Sequence, residues 1–592
     1  MRLSDYIIKF LEQKKIDTVF QVSGGGSIFL GDALYKAKKI KYIAHHHEQA
    51  ASFAAEGYAR CKNDVGCCFV TTGPGGTNAV TGISSAWIDS VPVIFIAGQA
   101  FYNQTIKKTK KRQIGVQEIN IIDIVKPITK FSIMVKDPEM INFYLEKAYQ
   151  ICKSGRPGPV FLDIPADVQN AQIDENKVKK LHYKANTEKN QIDNQINKVI
   201  EKLRKSKRPL IHLGHGVKLS KSKKLVYKFF NKFKIPFMVT WNADDLISSD
   251  HKMYFGKPGQ FGERGSNFIV QNCDFYLSIG TRLPFMITGY NPKDFAKKAK
   301  YKIMVDIDKN ELKKNDLKLN LLIKSDAKYF LEKLFSKLKS YKSNNSWVNY
   351  CSKVRAKYPI LVKKMKDEKE YINSYFFIKK LSQKLNKNDI IITDMGFSFT
   401  TTHQALEIRG NQKLYTNSGH APMGWGLPAA IGAYYSNKNK KSNIICISGE
   451  GGFQMNIQEL ATIMHNKIPM KIFIFNNGGY LTIKQTQILG FNSRIMGADK
   501  KSGISFPNYE KISRAHSIEY KKLTKHNNLE NEIKKVLKSK KAFICELIMN
   551  PNEEQIPKAV NRRNEDGISI PAKLEDMYPF LSKDELSSNN LN

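Results

Sequence analysis

The chain has 592 residues, 41% hydrophobic and 11% aromatic, which suits about three or four domains and excludes a disordered, collagen-like or low-complexity protein. Its net charge is +41, but 81 of the 95 cationic side chains are lysines spread along the whole chain, densest at Lys107–Arg112; this bias reads as coding composition rather than a nucleic-acid face. Eight cysteines form no CxxC pair, the N-terminus has no signal-peptide pattern and no run approaches about 18 apolar residues, so the expectation is a reduced, cytoplasmic protein with no membrane span and no nucleic-acid partner.

In chain order, Tyr6–Gln13 is predicted helical, Thr18–Val22 and Tyr42–Ala44 are short strands, and Glu48–Arg60 is an alanine-rich helix. Val65–Thr71 and Pro92–Ala97 are buried strands on either side of a helix over Thr77–Asp89. Gly155–Asp167 reads as a turn, an edge strand and a second turn, and the polar stretch 171–195 as a linker. A second block holds strand candidates Pro209–Leu213, Phe237–Thr240, Phe275–Ile279 and Lys302–Asp306. Residues 310–370 are lysine-rich and read as a second, largely helical linker. The third block begins near Tyr371, with strands at Ile390–Thr393, Asn443–Ser448, Met470–Asn476 and Ala542–Ile548. Alternating strands and helices predict an α/β chain of three doubly wound parallel-sheet domains, at 1–170, 190–330 and 371–550, closed by a polar tail over 551–592.

The sharpest chemical signal lies in the third block. One apolar strand ends in Gly449-Glu450-Gly451-Gly452 and the next in Asn476-Asn477-Gly478-Gly479. Ligands bind at the carboxyl ends of parallel strands. A carboxylate, an amide oxygen and free loop carbonyls there suit a hard cation such as Mg²⁺, and a helix opening after Gly452 suits a diphosphate. In the first block, Gly73-Pro74-Gly75-Gly76-Thr77-Asn78 is a close-approach loop between a strand and a helix. His45, His46 and His47 are adjacent, so their side chains diverge and one metal does not take all three. Glu48 stands at a strand–helix junction, where a carboxylate is either a helix cap or a catalytic acid.

Together these segments resemble the thiamine-diphosphate enzymes of the acetolactate synthase group over almost the whole chain. The carriers are HHHEQAASFAAEGYAR (45–60), TTGPGGTN (71–78), SGRPGPVFLDIPADVQ (154–169), VDIDKNELKKN (305–315), MGWGLPAAIGA (423–433) and GEGGFQMNIQELAT (449–462) with Asn476-Asn477. The resemblance implies pyrimidine-binding, central and diphosphate-binding domains in that order. It makes Glu48 the carboxylate that protonates the cofactor's pyrimidine, Met423 the residue that bends the cofactor, and Gln117 part of the active site. It assigns cofactor contacts to Gly73, Pro74, Asn78, Gly396, Phe397, Ser398, Gly424, Gly451, Gly452 and Tyr480, and metal ligation to Glu450, Asn477 and the Gly479 carbonyl. Glu450 departs from the family's usual aspartate.

The implied activity is decarboxylation of pyruvate and transfer of its two-carbon unit to a second 2-oxo acid, in a homodimer or homotetramer whose site lies between subunits. Other departures point to a different acceptor. Thr486 falls where a gating tryptophan is usual, Met286 where an arginine is, and Val116 where a phenylalanine is. GKPGQFGERGSN (256–267) lacks the glycine/methionine run of the flavin-binding version, and DGISIPAKLEDMYPFL (566–581) is unlike a synthase end, so FAD binding stays open. The alternative reading is a synthase-like carboligase or lyase acting on a keto-sugar in polysaccharide or nucleotide-sugar biosynthesis.

Overall fold

A computed structural model describes residues 1–106, 109–179, 191–439, 441–563 and 568–591; Lys107 and Lys108 of the lysine cluster and residues 180–190 of the first predicted linker lie outside these. Three sheets follow one another, and every strand pair within them is parallel. The strands are β1 (Thr18–Gln21), β2 (Lys41–Ala44), β3 (Gly66–Val70), β4 (Val93–Gln99), β5 (Phe131–Met134) and β6 (Val160–Pro165); then β7 (Pro209–Leu213), β8 (Phe237–Val239), β9 (Phe275–Ile279), β10 (Tyr301–Asp306) and β11 (Leu321–Lys324); then β12 (Ile390–Thr393), β13 (Lys413–Tyr415), β14 (Ile444–Gly449), β15 (Lys471–Asn476), β16 (Glu519–Leu523) and β17 (Phe543–Ile548).

Their spatial orders are β2-β1-β3-β4-β6-β5, β11-β10-β9-β7-β8 and β13-β12-β14-β15-β17-β16. The interior strands are unbroken apolar runs such as Ile390-Ile391-Ile392, because helices cover both faces of each sheet. Among the described residues no helix is long and apolar enough to cross a membrane. All eight cysteines are free and buried.

Several expectations need correction. Val160–Pro165 is an interior strand, not an edge; the edge is β5, whose half-buried Phe-Ser-Ile-Met lacks a clear alternation. The helix over Thr77–Asp89 is two helices, Pro74–Asn78 and Val80–Ile88, hinged at Ala79. Residues 310–370 are not a linker. Leu321–Lys324 adds β11 to the second sheet, Ala327–Leu338 buries Phe330, Leu331 and Leu334 against it, and Asn345–Lys357 inserts Trp347 beneath Arg264–Asn272.

The residues after Pro551 are not a free tail either. Arg264 donates to the carbonyls of Met577 and Pro579 at 3.0 and 2.6 Å, Asn267 donates to that of Leu574 at 2.8 Å, and Leu574 and Met577 are buried. The polar composition hid a few apolar anchors along a strap that also holds a short antiparallel strand pair, Arg562–Arg563 with Ser569–Ile570, and a helix, Lys583–Ser588.

The first and third sheets share one hydrophobic core. The Glu48–Lys62 helix lies against the Gly426–Ser436 helix, and alanines face each other across the seam. Two glycines set the approach: a Cβ on Gly57 would stand 2.3 Å from the Ala429 carbonyl oxygen, and one on Gly432 would stand 1.9 Å from that of Ala54. Across this seam His45, just after β2, meets Glu459 of the third domain.

Candidate active site

The predicted residues gather into two clusters, one on each of these sheets. In the first, His47 caps the helix by accepting the N–H of Gln49 at 3.1 Å, so Glu48 is not the cap. The buried Glu48 carboxylate instead accepts the Asn78 amide at 2.9 Å through Oε2; Oε1 has no hydrogen-bond partner among the described residues. Oε1 looks onto Gly75, where an added Cβ would lie 3.7 Å away. Gly73, at φ +61, lies against the Gln117 carbonyl so closely that a Cβ would stand 2.1 Å from its oxygen. Pro74 and Gln117 are exposed, and Val116 is 85% exposed. Glu118, by contrast, is buried and accepts the N–H groups of Ile106 and Ile114 at 2.9 and 3.1 Å, anchoring the loop that presents Gln117.

The three histidines part company. His45 is buried against Glu459 at 2.7 Å, His46 is exposed and His47 caps. No group of three or more metal-binding side chains occurs among the described residues.

In the second cluster, Met423 Cε lies 3.2 Å from where a Gly451 Cβ would be, and Tyr480 fills the same space from the other side, at 2.0 Å. Gly451 is therefore the only residue size that leaves both side chains in place. The helix here begins at Glu450 itself, three residues earlier than the sequence suggested. Glu450 is 1% exposed and folds across the next turn, accepting the N–H groups of Asn477 and Gly479 at 3.1 and 2.7 Å through Oε1. Burial pushes this carboxyl up to about 7. Asn477 Oδ1 is buried without a partner. An orphaned amide oxygen beside a buried carboxylate is a donor set that a hard cation satisfies.

Gly396, at φ +81, leaves open space toward Thr482. Phe397 sinks into the core and Ser398 donates to the Met395 carbonyl at 3.3 Å, so near Gly396 only backbone is on offer to a ligand.

Asp394 is a member the sequence reading missed. It is buried at the end of β12. It accepts the N–H groups of Met395 and Gly424 at 2.7 and 3.0 Å through Oδ1 and the Ser448 hydroxyl at 3.1 Å through Oδ2. Burial raises it to about 6. Gly426 and Gly452 press on it closely enough that a Cβ on either would lie about 3 Å away. The signal available was an acid at the carboxyl end of a parallel strand. Asn456 was missed as well; its amide donates to Gly424 O at 2.8 Å and to Gln49 Oε1 at 3.2 Å, joining the backbone beside Met423 to the first domain of the same chain.

Comparison with known proteins identifies the family. Residues 1–121 match the model of the thiamine pyrophosphate enzyme N-terminal TPP binding domain, 196–334 its central domain and 394–547 its C-terminal TPP binding domain. The chain is 32% identical to an acetolactate synthase large subunit of Cyanidium caldarium, over 93% of this chain and 94% of that one. It is also 32% identical to a probable acetolactate synthase large subunit of Methanocaldococcus jannaschii, over 93% of each. It is 30% identical to the acetolactate synthase large subunit of Lactococcus lactis, over 94% and 93%. The chain belongs to the thiamine pyrophosphate enzymes, in the acetolactate synthase large-subunit family. Its three parallel-sheet domains are the three domains of that family.

Within this family the departures take definite places. Thr486 is exposed on the Leu481–Gly490 helix, among the exposed Ile483, Ile488 and Leu489. Met286 lines a cavity of about 450 Å³ at the carboxyl ends of β7, β9 and β10, together with Arg156, His215, Thr281, Arg282 and Asp306. His215 Nε2 is buried there without a partner. Arg156 reaches in from the first domain and pairs with Asp308 and Glu311 at 3.1 and 2.8 Å.

Proposed function

We propose that the chain is a thiamine-diphosphate-dependent carboligase that decarboxylates pyruvate and adds the two-carbon unit to a second 2-oxo acid, as an acetolactate synthase does. The observation that carries the reading is the pairing of Glu48, with one carboxylate oxygen unspent, and a second cluster in which Met423 overhangs Gly451 beside Glu450 and Asn477. Thiamine diphosphate, when bound, supplies the nucleophilic carbon and the electron sink. Asn78 holds Glu48 Oε2 and keeps the carboxylate in place, so Oε1 would be free to hold or release a proton toward the bound cofactor. Met423, held over Gly451 and flanked by Tyr480, would shape the space the cofactor enters. Glu450, Asn477 Oδ1 and the Gly479 carbonyl hold Mg²⁺; the orphaned Asn477 oxygen supports this fit.

Gly73, Pro74, Gly396, Phe397, Ser398, Gly424, Gly451 and Gly452 act through backbone and space rather than side-chain chemistry. The two clusters belong to a homodimer or homotetramer in which one subunit's first domain faces another's third, with Gln117 at the mouth. The cavity of the central sheet takes a dinucleotide such as FAD, supported by its place at the strand ends, its cationic Arg156 and Arg282 and its unpartnered His215 nitrogen. A visible flavin spectrum in the purified protein is the check.

The test of the reaction is product identification. With thiamine diphosphate, Mg²⁺ and carbon-labelled pyruvate alone, acetolactate should accumulate catalytically by NMR, and Glu48→Gln should abolish it. Carbon dioxide release with no acetolactate would redirect the acceptor toward keto-sugars or larger 2-oxo acids.

A further inference from the structure

The loop 416–425 carries Met423, yet its own domain does not hold it alone. Glu56 stands eight residues beyond Glu48, two turns along the same helix, with no exposed surface. Its Oε1 accepts the Asn417 amide at 2.9 Å, and its Oε2 accepts the Trp425 indole N–H at 2.9 Å. Arg60 closes on Oε1 at 2.9 and 2.6 Å and passes on to Asp89 at 2.8 Å. Asn417 Oδ1 in turn accepts the N–H groups of His420 and Ala421 at 3.3 and 3.4 Å. In the middle of the loop, a Cβ on Gly419 would stand 2.1 Å from Asp89 Oδ1. Both ends of the loop are thus held by side chains of the first domain, and its middle lies close against Asp89.

A water-free carboxylate with four donors has essentially one arrangement that satisfies all of them. An amide in its place must turn an N–H₂ toward Arg60, Asn417 or Trp425, and the grip is lost at one end.

Resting on the functional reading above, we propose that Glu56 is a positioning residue for the reaction: by holding Asn417 and Trp425 it fixes the height of Met423 over Gly451. One helix then presents Glu48 to the first cluster and sets the geometry of the second.

The test is the rate of hydrogen–deuterium exchange at C2 of thiamine diphosphate bound to the protein, read by acid quench and NMR at saturating cofactor and Mg²⁺. Glu56→Gln should remain folded, saturate with cofactor and exchange at least tenfold more slowly than the wild type. A folded, saturated Glu56→Gln that exchanges at the wild-type rate, whatever its melting temperature, would reduce Glu56 to a core-filling role. Where Glu56→Gln does not fold, Asn417→Ala carries the same decision, because it removes one arm and leaves the carboxylate. Exchange slowed threefold or more supports the assignment, and the wild-type rate overturns it. Failure of the wild-type protein itself to bind the cofactor or exchange its proton would overturn the functional reading and this assignment with it, a result distinct from either variant outcome.

Discussion

Asp394 Oδ1 accepts the backbone N–H of Gly424 at 3.0 Å, so the residue next to Met423 is tied to the carboxyl end of β12, one strand in from the edge of the third sheet. The same oxygen takes Met395 N–H. Removing the carboxylate strands two buried donors, at about 1–3 kcal/mol each. Asp394→Ala is expected to weaken thiamine diphosphate binding at least tenfold in a fluorescence titration and to lower the melting temperature. Asp394→Asn keeps one acceptor and should lose less of both.

The metal assignment is tested at Glu450. Its extra methylene, relative to the family's aspartate, lets the carboxylate fold back onto the Asn477 and Gly479 amides. Glu450→Gln should raise the Mg²⁺ concentration for half-maximal cofactor binding tenfold or more, and Asn477→Ala should do likewise. Glu450→Asp should stay within about threefold of the wild type, since it keeps the charge and returns the family's side chain. An unchanged Mg²⁺ requirement in Asn477→Ala would remove that residue from the ligand set.

The arrangement between subunits makes a mixing prediction. Glu48→Gln disables the first cluster and Asn477→Ala the second. In a mixed dimer, one site combines the intact halves of both chains. Assayed at a Mg²⁺ concentration too low for Asn477→Ala alone to turn over, the two variants refolded together should restore about a quarter of wild-type activity by random pairing. No recovery, with mixed dimers present by mass spectrometry, would place both clusters of each site on one chain.

Asp163 gives a pH signature. It is fully buried beside Gln99, and burial pushes its carboxyl up to about 8. A carboxyl raised on folding keeps its proton in the folded chain while the unfolded chain has already lost it. Its contribution therefore favours the fold at low pH and is lost as pH rises from about 4 to about 8, at up to about 1.4 kcal/mol per pH unit. Asp163→Asn, which keeps an oxygen for Gln99, should melt above the wild type by a margin that grows from pH 5 to pH 8. The histidines buried in a neutral state, His212 and His215, act oppositely below about pH 6.5 but cancel in this difference.

Gly432→Ala tests the seam. Its methyl meets the Ala54 carbonyl at 1.9 Å, and overpacking of this kind costs about 1–3 kcal/mol. The melting temperature should fall, and cofactor affinity with it, since Met423 precedes the displaced helix. The same exchange at Gly155, which has open space at its Cβ position, makes the control for packing, though its φ of +56 adds a backbone cost of its own.

How much of this was legible in the sequence follows burial. Interior strands such as Ile390–Thr393 and Phe275–Ile279 stood out because both faces are covered and the run is wholly apolar. The strands left unread, β5, β11, β13 and β16, are all at sheet edges; β5 is only partly buried with no alternation, and lysines interrupt the apolar pattern of β11, β13 and β16. The glycine-bounded ends of β14 and β15 were readable because a glycine loop after an apolar strand has few other uses. Asp394, Glu56 and Asn456 were not, since a buried polar residue reveals itself only through partners far along the chain: Trp425 lies 369 residues from Glu56. The strap after Pro551 was misread for a related reason, its few anchors being diluted by polar neighbours.

The glycine seam has a consequence for how the protein is made. The Glu48–Lys62 helix packs one face against the Gly426–Ser436 helix, which leaves the ribosome some 370 residues later. At ordinary rates of synthesis the nascent first domain waits roughly 20 to 70 seconds with this apolar face bare to solvent or to its neighbours on the same message, and slowing translation of the middle third lengthens the exposure.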